Sequence, residues 1–358
     1  MNANSSFLID NKRVGAESPV YFIADIAANH DGDLERAKDL IFLAAEAGAD
    51  AAKFQHFKPE TIVSDHGFRS LGGAQSHQAG WTKSVVEVYK DASVSLEWSE
   101  KLKETCEKAG ITFFTSPYSI DLVDHIESYV PAYKIGSGDI TWLEMIEYIA
   151  AKGKPYILAS GASTFDDVQR AVSAAIVLNG NICLMQCNTN YTASLENFKY
   201  IQLNVLKAFR EMYPNMVLGL SDHTPGHATV LGSVALGAKM IEKHFTDDIN
   251  REGPDHKFAM DPRSWREMVD RTRELENALG NGVKKVEENE EQTVILQRRA
   301  IRLASKLSAG AVLQRGDLEV LRPCPNDGLP PYLLNKVIGR TLRQDMQKGE
   351  HLKWIDLE

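Results

Sequence analysis

Two histidines close two consecutive strand-like runs, Val217-Leu-Gly-Leu-Ser-Asp-His223 and Met240-Ile-Glu-Lys-His244. If those runs are neighbouring parallel strands, both imidazoles stand side by side on one rim, which is the geometry of a two-histidine divalent-metal site. Neutral imidazole suits Mn²⁺, Fe²⁺, Co²⁺ or Zn²⁺, with carboxylate or water completing the shell. With two histidines and no cysteine beside them, a catalytic site with open positions fits better than a closed structural one. Taken singly, His223 in Ser-Asp-His-Thr reads as a capping turn and His244 as a core histidine at a strand end. On adjacent strand tips, metal binding is the stronger reading.

Other chemistry-bearing side chains sit at matching places. Lys53, Lys134, Ser137, Ser160 and Ser221 fall at or just after the C-terminal ends of strand-like runs, as do Asp25, Thr115 and Thr189. Hydroxyls and lysines suit a phosphate: Ser and Thr donate to its oxygens, lysine adds charge, and helix N-termini add aligned N–H groups. In Lys134-Ile-Gly-Ser-Gly-Asp139 two glycines flank Ser137 and permit close backbone approach to an anion, although a glycine-rich turn needs no ligand. Asp25 opens Ile-Ala-Ala-Asn-His-Asp-Gly32 and offers a general base or a partner for metal-bound water, or simply an Asx turn.

The elements that must position these residues repeat. Apolar strand-like runs begin at Val20, Asp50, Ile111, Ala132, Pro155, Ile182, Met216 and Met240. Amphipathic helical patterns lie between them, such as Leu34–Ala47, Leu96–Ala109, Phe165–Leu178 and Lys199–Met212. Continuous apolar strands, each followed by a helix, indicate a parallel α/β sheet. Eight units over roughly 260 residues predict a (β/α)₈ barrel. A doubly wound sheet is the alternative, disfavoured because no GxGxxG turn follows the first strand. Thr224-Pro225 reads as an N-cap followed by proline at the first helical position. Gly48, Gly110, Gly153 and Gly237 read as left-handed residues closing helices.

Two segments break the period. Residues 56–95 make a long connection carrying His66, Gly72-Gly73, His77 and Trp81, a candidate lid. Residues 281–297, with the run Lys284-Lys-Val-Glu-Glu-Asn-Glu-Glu291, read as a solvated linker. The expected organisation is a catalytic barrel over 1–280, that linker, and a small β-rich domain over 298–358, whose Ala309–Asp317 stretch holds turn signals between short apolar segments.

The 358 residues carry a net charge of −9 and 43% hydrophobic residues, ordinary for a soluble globular protein and unfavourable for nonspecific binding to nucleic acid or acidic membranes. An anionic substrate must therefore be held by local cations and amides. The apolar runs are too short to span a bilayer, and the first residues lack a secretory pattern. Cys106, Cys183, Cys187 and Cys324 form no CxxC and read as reduced, buried thiols, which points to the cytoplasm.

The motifs together resemble the sialic acid synthases, including their legionaminic and pseudaminic acid relatives, from about Val20 to Glu358. They are Ile23–Gly32, Gly48–Gln55, Phe114-Thr-Ser-Pro-Tyr118, Lys134–Asp139, Gly219–Thr224, Ile241–Thr246, Gly253-Pro-Asp255 and Leu321-Arg-Pro323. The resemblance implies a (β/α)₈ (TIM) barrel followed by an antifreeze-like SAF domain. It implies joining of phosphoenolpyruvate to the aldehyde of an open-chain N-acylated hexosamine, N-acetylmannosamine or a 2,4-diacetamido-trideoxyhexose, giving a nine-carbon 2-keto acid and phosphate. A divalent metal, Mn²⁺ or Mg²⁺, would be held by His223 and His244 and polarise the aldehyde. Lys53, Thr115, Ser137, Ser160 and Ser221 would hold phosphoenolpyruvate, with Lys134 neutralising its charge, while Asp139 and Asp255 bind sugar hydroxyls. The family forms homodimers in which the small domain covers the partner's barrel, so Arg322 would reach the neighbouring site.

Three departures from the family pattern stand out. Asp25 replaces the usual glutamate. Gln186-Cys-Asn-Thr-Asn-Tyr-Thr192 replaces His-Cys-Thr-Asn/Ser-x-Tyr-Pro; aligned on Tyr191, Thr189 falls at the phosphate-binding position, with Asn188 or Asn190 able to take over. Arg322–Gly328 is longer than the usual Arg-Pro-Gly-x-Gly. Two other classes compete with the synthase: a Schiff-base aldolase using Lys134 or Lys53, and a sugar-binding protein that kept the fold without the chemistry.

Overall fold

The computed structural model describes residues 3–71, 78, 81 and 83–358. It divides into two compact units, Met1–Gly280 and Asn281–Glu358. Twelve strands are named here among the described residues: β1 (Ser6–Ile9), β2 (Lys12–Gly15), β3 (Tyr21–Asp25), β4 (Ala51–His56), β5 (Thr112–Pro117), β6 (Tyr133–Ile135), β7 (Tyr156–Ala159), β8 (Ile182–Cys187), β9 (Val217–Asp222), β10 (Met240–His244), β11 (Ala300–Leu303) and β12 (Leu318–Leu321).

β3 to β10 form a closed, wholly parallel barrel with β10 returning to β3, as the alternation of apolar runs and helices predicts. Nearly every residue of these strands is buried, because helices cover the outer face and side chains fill the interior. The seam pairs Met240 with Tyr21 and His244 with Asp25. Asn29 Nδ2 reinforces it by donating to the Phe245 carbonyl at 2.9 Å. Trp265, Tyr133, Tyr156, Phe22, Phe54 and Phe114 are among the largest fully buried side chains.

Local chemistry sets the helix ends. Asp33 caps Leu34–Glu46 by accepting from the Glu35 and Arg36 amides, and Thr164 forms a capping box with Asp167 at Phe165–Ile176; such a cap contributes about 1 kcal/mol. Gly48, Gly110, Gly153 and Gly237 have φ of 94°, 75°, 76° and 95°, as expected for residues that end helices where a Cβ is strained.

Four features differ from the sequence expectation. An antiparallel hairpin, β1–β2, precedes the barrel; its apolar run, Phe7-Leu8-Ile9, is short and is followed by a turn and the polar start of β2 and not by a helix. Thr224 caps no helix: its hydroxyl turns back to Asp222, and the helix starts later, over Ala228–Ala235. The expected helix over Lys199–Met212 is a 3₁₀ turn, Leu195–Tyr200, followed by a helix over Val205–Met212. The connection after β4 holds short helices Pro59–Ile62, Asp65–Ser70 (with His66) and Val85–Ala92; Gly72, Gly73 and His77 lie outside the described residues.

The second unit has its own core, including Ile301, Leu303, Leu313, Val337, Leu342 and Leu352. β11 pairs antiparallel with β12. The segment expected as a linker is largely exposed but ends in a short helix, Glu291–Gln297. Cys324 is half-buried, unlike the other three cysteines, and all four are free thiols.

Candidate active site

Alternation along β9 and β10 decides what faces the barrel interior. Ser221 and His223, with Glu242 and His244, share one face, and Asp222 and Lys243 take the other. The two imidazoles meet with ring centroids 5.4 Å apart. His223 Nδ1 donates to the Asn188 carbonyl at 2.9 Å, so its lone pair is on Nε2. Burial, reinforced by His244, lowers His223 to a pKa of about 4. Burial, reinforced by Lys53, lowers His244 to about 3. Both rings are therefore neutral at pH 7, the form that binds metal. Tyr191 and Phe258 close the aromatic side: Tyr191 lies 4.4 Å from His223, and Phe258 lies 4.8 Å from His244.

Next to the histidines runs a buried charge network. Lys53 Nζ donates to Asp25 Oδ2 at 2.6 Å, and Lys134 Nζ lies 3.0 Å from Glu242 Oε1. Glu242 Oε1 also accepts from Ser221 Oγ at 3.2 Å, and Glu242 Oε2 lies 3.9 Å from Lys53 Nζ. Burial pushes Glu242 up, but Lys134 and Lys53 outweigh it and hold the carboxyl at about 2. For Asp25 burial wins: its pKa is raised despite Lys53, with the charge of Glu242 adding to the rise. Gln55 Nε2 donates to the same Asp25 oxygen at 3.1 Å, and His244 Nε2 lies 3.6 Å from it.

The hydroxyl rim is only partly as the sequence suggested. Thr115 does not face this network. Its Oγ1 hydrogen-bonds with His56 Nδ1 at 2.9 Å, and His56 Nε2 meets Ser99 on the helix Ser99–Ala109 at 3.0 Å, so the group lies in the layer outside the barrel wall. The next residue, Ser116, pairs in register with the inward-facing Gln55. Among the described residues Ser116 Oγ, Glu242 Oε2 and His244 Nδ1 are buried with no hydrogen-bond partner. Three such groups gathered beside the imidazoles and lysines are hydrogen-bonding capacity that a bound group could engage.

Ser137, in the turn after β6, accepts from the Gly161 amide at 2.9 Å. A Cβ on Gly161 would lie 2.8 Å from Ser137 Oγ and collide with Thr189, so glycine lets these groups converge. Ser160 Oγ donates to the Met185 carbonyl at 2.8 Å. Asn188 Nδ2 donates to the Tyr200 carbonyl at 3.3 Å, and Asn190 is engaged inside its own loop by Thr192 and Asn197. A cleft of about 280 Å³ lies among Ala162, Asn188, Thr189, Asn190 and Tyr200. Asp139 is raised to about 6 by burial, partly offset by Lys134.

Asp255 is delivered by the loop after β10. Arg36 makes two 2.7 Å bonds to Asp247, and His256 bridges Thr246 and Asp31 at 2.8 and 3.0 Å. Asp255 Oδ2 thereby accepts from the Ala28 amide at 3.1 Å and lies 3.9 Å from His244 Nδ1. Burial raises it to about 7, and the charge of Asp25 adds to the rise. Arg322 belongs to the second unit, where its Nε donates to the Gln297 carbonyl at 2.7 Å.

The structure thus brings together Asp25, Lys53, Lys134, Ser221, His223 and His244, with Tyr191 and Asp255 beside them and Ser137, Asp139, Ser160, Asn188 and Thr189 on the β6–β8 side of the rim. Sequence reasoning missed Glu242, Ser116 and Phe258. Glu242 was findable, since it stands two residues before His244 and so shares its face.

A parallel barrel with lysines, carboxylates and paired imidazoles at its strand tips defines a barrel-mouth enzyme site. Comparison with known proteins agrees. The NeuB family model matches residues 40–284, and the SAF domain model matches 298–358. N,N'-diacetyllegionaminic acid synthase of Legionella pneumophila is 33% identical over 352 residues, covering 96% of both chains. Human N-acetylneuraminate-9-phosphate synthase is 30% identical, over 96% of this chain and 94% of its own. Among solved structures, the spore coat polysaccharide biosynthesis protein SpsE of Bacillus subtilis aligns over 99% of both chains with a TM-score of 0.65 and 30% identity. The N-acetylneuraminic acid synthetase of Leptospira borgpetersenii aligns over 82% of this chain and 96% of its own, with a TM-score of 0.71 and 28% identity. The chain belongs to the NeuB family, the sialic acid synthases, and carries that family's barrel followed by a SAF domain.

Proposed function

We propose that this protein is a nonulosonic acid synthase that condenses phosphoenolpyruvate with the open-chain form of an N-acylated hexosamine, N-acetylmannosamine or a 2,4-diacetamido-trideoxyhexose. The observation that carries this reading is the pair of neutral imidazoles beside a buried Lys53–Asp25–Glu242–Lys134 network at the barrel mouth.

A divalent cation, Mn²⁺ or Mg²⁺, fits the donor set. His223 carries its lone pair on Nε2, because Nδ1 donates to Asn188, and among the described residues His244 Nδ1 is buried without a hydrogen-bond partner. Among the described residues no third His, Cys, Asp or Glu completes a protein cage, so water and substrate would fill the shell, as catalytic sites require. Held by His223 and His244, the cation would polarise the sugar aldehyde.

The chain's own groups account for the remainder. Lys53 and Lys134 neutralise the phosphate and carboxylate of phosphoenolpyruvate, Ser116, Ser137, Ser160, Ser221 and Thr189 supply hydroxyls, and Asn188 supplies an amide. The C3 carbon of phosphoenolpyruvate forms the new bond to the aldehyde carbon as the C2=C3 and aldehyde C=O π bonds open, the former aldehyde oxygen takes up a proton to become a hydroxyl, and water adds at the electron-poor C2. Asp25, whose pKa is raised by burial, takes the proton of that water. The C2–O bond to phosphate then breaks, giving the 2-keto acid and inorganic phosphate. Asp139 and Asp255 face the sugar hydroxyls.

A Schiff-base aldolase is disfavoured, because Lys53 and Lys134 are each tied to a carboxylate, whereas an amine nucleophile must be neutral and free to attack. We carry over from the family a homodimer in which the SAF domain and Arg322 of one chain serve the partner's barrel. Among the described residues no helix is long and apolar enough to cross a membrane; with a phosphoenolpyruvate substrate and free thiols, a cytoplasmic location follows. The test is inorganic phosphate release from phosphoenolpyruvate with Mn²⁺ across a panel of N-acylated hexosamines. Release with one sugar, abolished by EDTA, supports the reading and names the substrate; Mn²⁺ binding without release from any sugar sinks it.

A further inference from the structure

A second buried charge cluster lies on the opposite face of the same two strands. Lys243 and Asp222 are direct cross-strand partners, and both side chains are fully buried. Lys243 Nζ donates to Asp222 Oδ2, and to the Thr224 carbonyl at 2.6 Å. Asp222 also accepts from the Thr224 amide at 3.2 Å, from Thr224 Oγ1 at 2.9 Å and from Thr229 Oγ1 at 2.7 Å. Thr229 belongs to the helix Ala228–Ala235, so the cluster ties two strand tips and the following helix into one unit.

Burying an ion pair in this layer brings little stability over a well-packed apolar pair. Its location suggests another use. Asp222 immediately precedes His223, and Lys243 immediately precedes His244. The β9–β10 register ends at the Lys243–Asp222 pair, so His223 lies one residue beyond the last paired position. On the β10 side His244 is fixed independently: it pairs with Asp25, and its carbonyl accepts from the Met260 amide at 2.8 Å. Beyond that register, Lys243 holds the β9 tip to β10 on both sides of His223, through Asp222 before it and the Thr224 carbonyl after it, while the Asn188 carbonyl holds the ring itself.

We propose that Asp222 and Lys243, braced by Thr224 and Thr229, are positioning residues that hold the two imidazoles at metal-binding spacing. This rests on the metal reading of the proposed function. Groups one step removed from a metal's ligands alter affinity by roughly 10–100-fold when removed, and a few tenths of an ångström in ligand placement matter at such a site.

The test uses the full chain and Mn²⁺ alone, with bound and free ion measured by electron paramagnetic resonance and thermal unfolding of the metal-free protein recorded in parallel. The double variant Asp222→Asn/Lys243→Met removes both charges together and is expected to stay folded with a melting temperature near that of the parent. Its Mn²⁺ dissociation constant is expected to rise at least about tenfold. Thr229→Val removes one brace, leaves the ion pair in place, and is expected to weaken Mn²⁺ roughly two- to fivefold; it decides the matter should the double variant not fold. A folded variant whose Mn²⁺ affinity stays within twofold of the parent overturns the positioning role while the metal reading stands. Absence of Mn²⁺ binding in the parent overturns the metal reading and the positioning role with it.

Discussion

β9 and β10 carry two buried charge clusters back to back, and the two are satisfied very differently. On the outer face Asp222 takes hydrogen bonds from Lys243, Thr224 and Thr229. On the inner face, among the described residues, Glu242 Oε2 and His244 Nδ1 have no hydrogen-bond partner, and neither has Ser116 Oγ on β5. An unpartnered buried polar atom costs roughly 1–3 kcal/mol, and three of them gather here around the imidazoles and lysines. Burial of charge alone therefore does not mark the chemistry; what distinguishes the inner cluster is that it is incomplete.

The sharpest way to break this contrast is at the imidazoles. His244→Ala should lower metal-dependent phosphate release by a factor of roughly 10³ or more, with thermal unfolding of the metal-free protein showing an intact fold. Steady-state phosphate assays alongside calorimetry settle it, and retained activity would remove the inner face from the reaction. Glu242→Gln comes next. It leaves the buried Lys134 and Lys53 with one carboxylate fewer, so kcat/KM for phosphoenolpyruvate should fall on the order of 100-fold, together with a loss of stability on the order of 3 kcal/mol.

Neighbouring hydroxyls on β5 sharpen the comparison at smaller magnitude. Ser116→Ala should raise KM for phosphoenolpyruvate by roughly tenfold, since a hydrogen bond to a charged group contributes about 1.5 kcal/mol or more. Thr115→Val should leave KM nearly unchanged and instead cost about 1 kcal/mol of stability, because it removes the bond to His56. Equal KM effects would show that the faces have been assigned wrongly. The last test concerns Asp139, whose folded-state pKa is raised from 3.8 to about 6. The folded state resists its ionisation, so at pH 7 the carboxylate opposes folding. Asp139→Asn should stabilise the protein there by on the order of 2 kcal/mol, and the gain should shrink below about 1 kcal/mol near pH 4, where the folded carboxyl is already neutral. Denaturant unfolding at both pH values reads this directly.

The barrel was legible because its strands are continuous apolar runs and its helices end at glycines that need positive φ. His223, His244, Lys53 and Lys134 were legible because strand tips in a parallel barrel share one rim. The β5 hydroxyl was misread for a simple reason: a strand alternates its faces, so a one-residue choice between Thr115 and Ser116 exchanges barrel interior for helix layer. Glu242 escaped because the search for chemistry stopped at the strand tips, whereas parity with His244 was the available clue. The true start of the helix Ala228–Ala235 was hidden because Thr224 turns back to Asp222 and its carbonyl is taken by Lys243, 19 positions away.

The seam between β3 and β10 has a consequence for how the molecule is made. It joins residues as far apart as Asn29 and Phe245, separated by 216 positions, and it sets His244 beside Asp25. A contact of such long range forms late, after the intervening elements have collapsed. During synthesis the first strand must wait, its edge unpaired, until the eighth emerges. Chains stalled or truncated before β10 would hold most of the barrel's sequence, yet lack both the closing strand and the second imidazole.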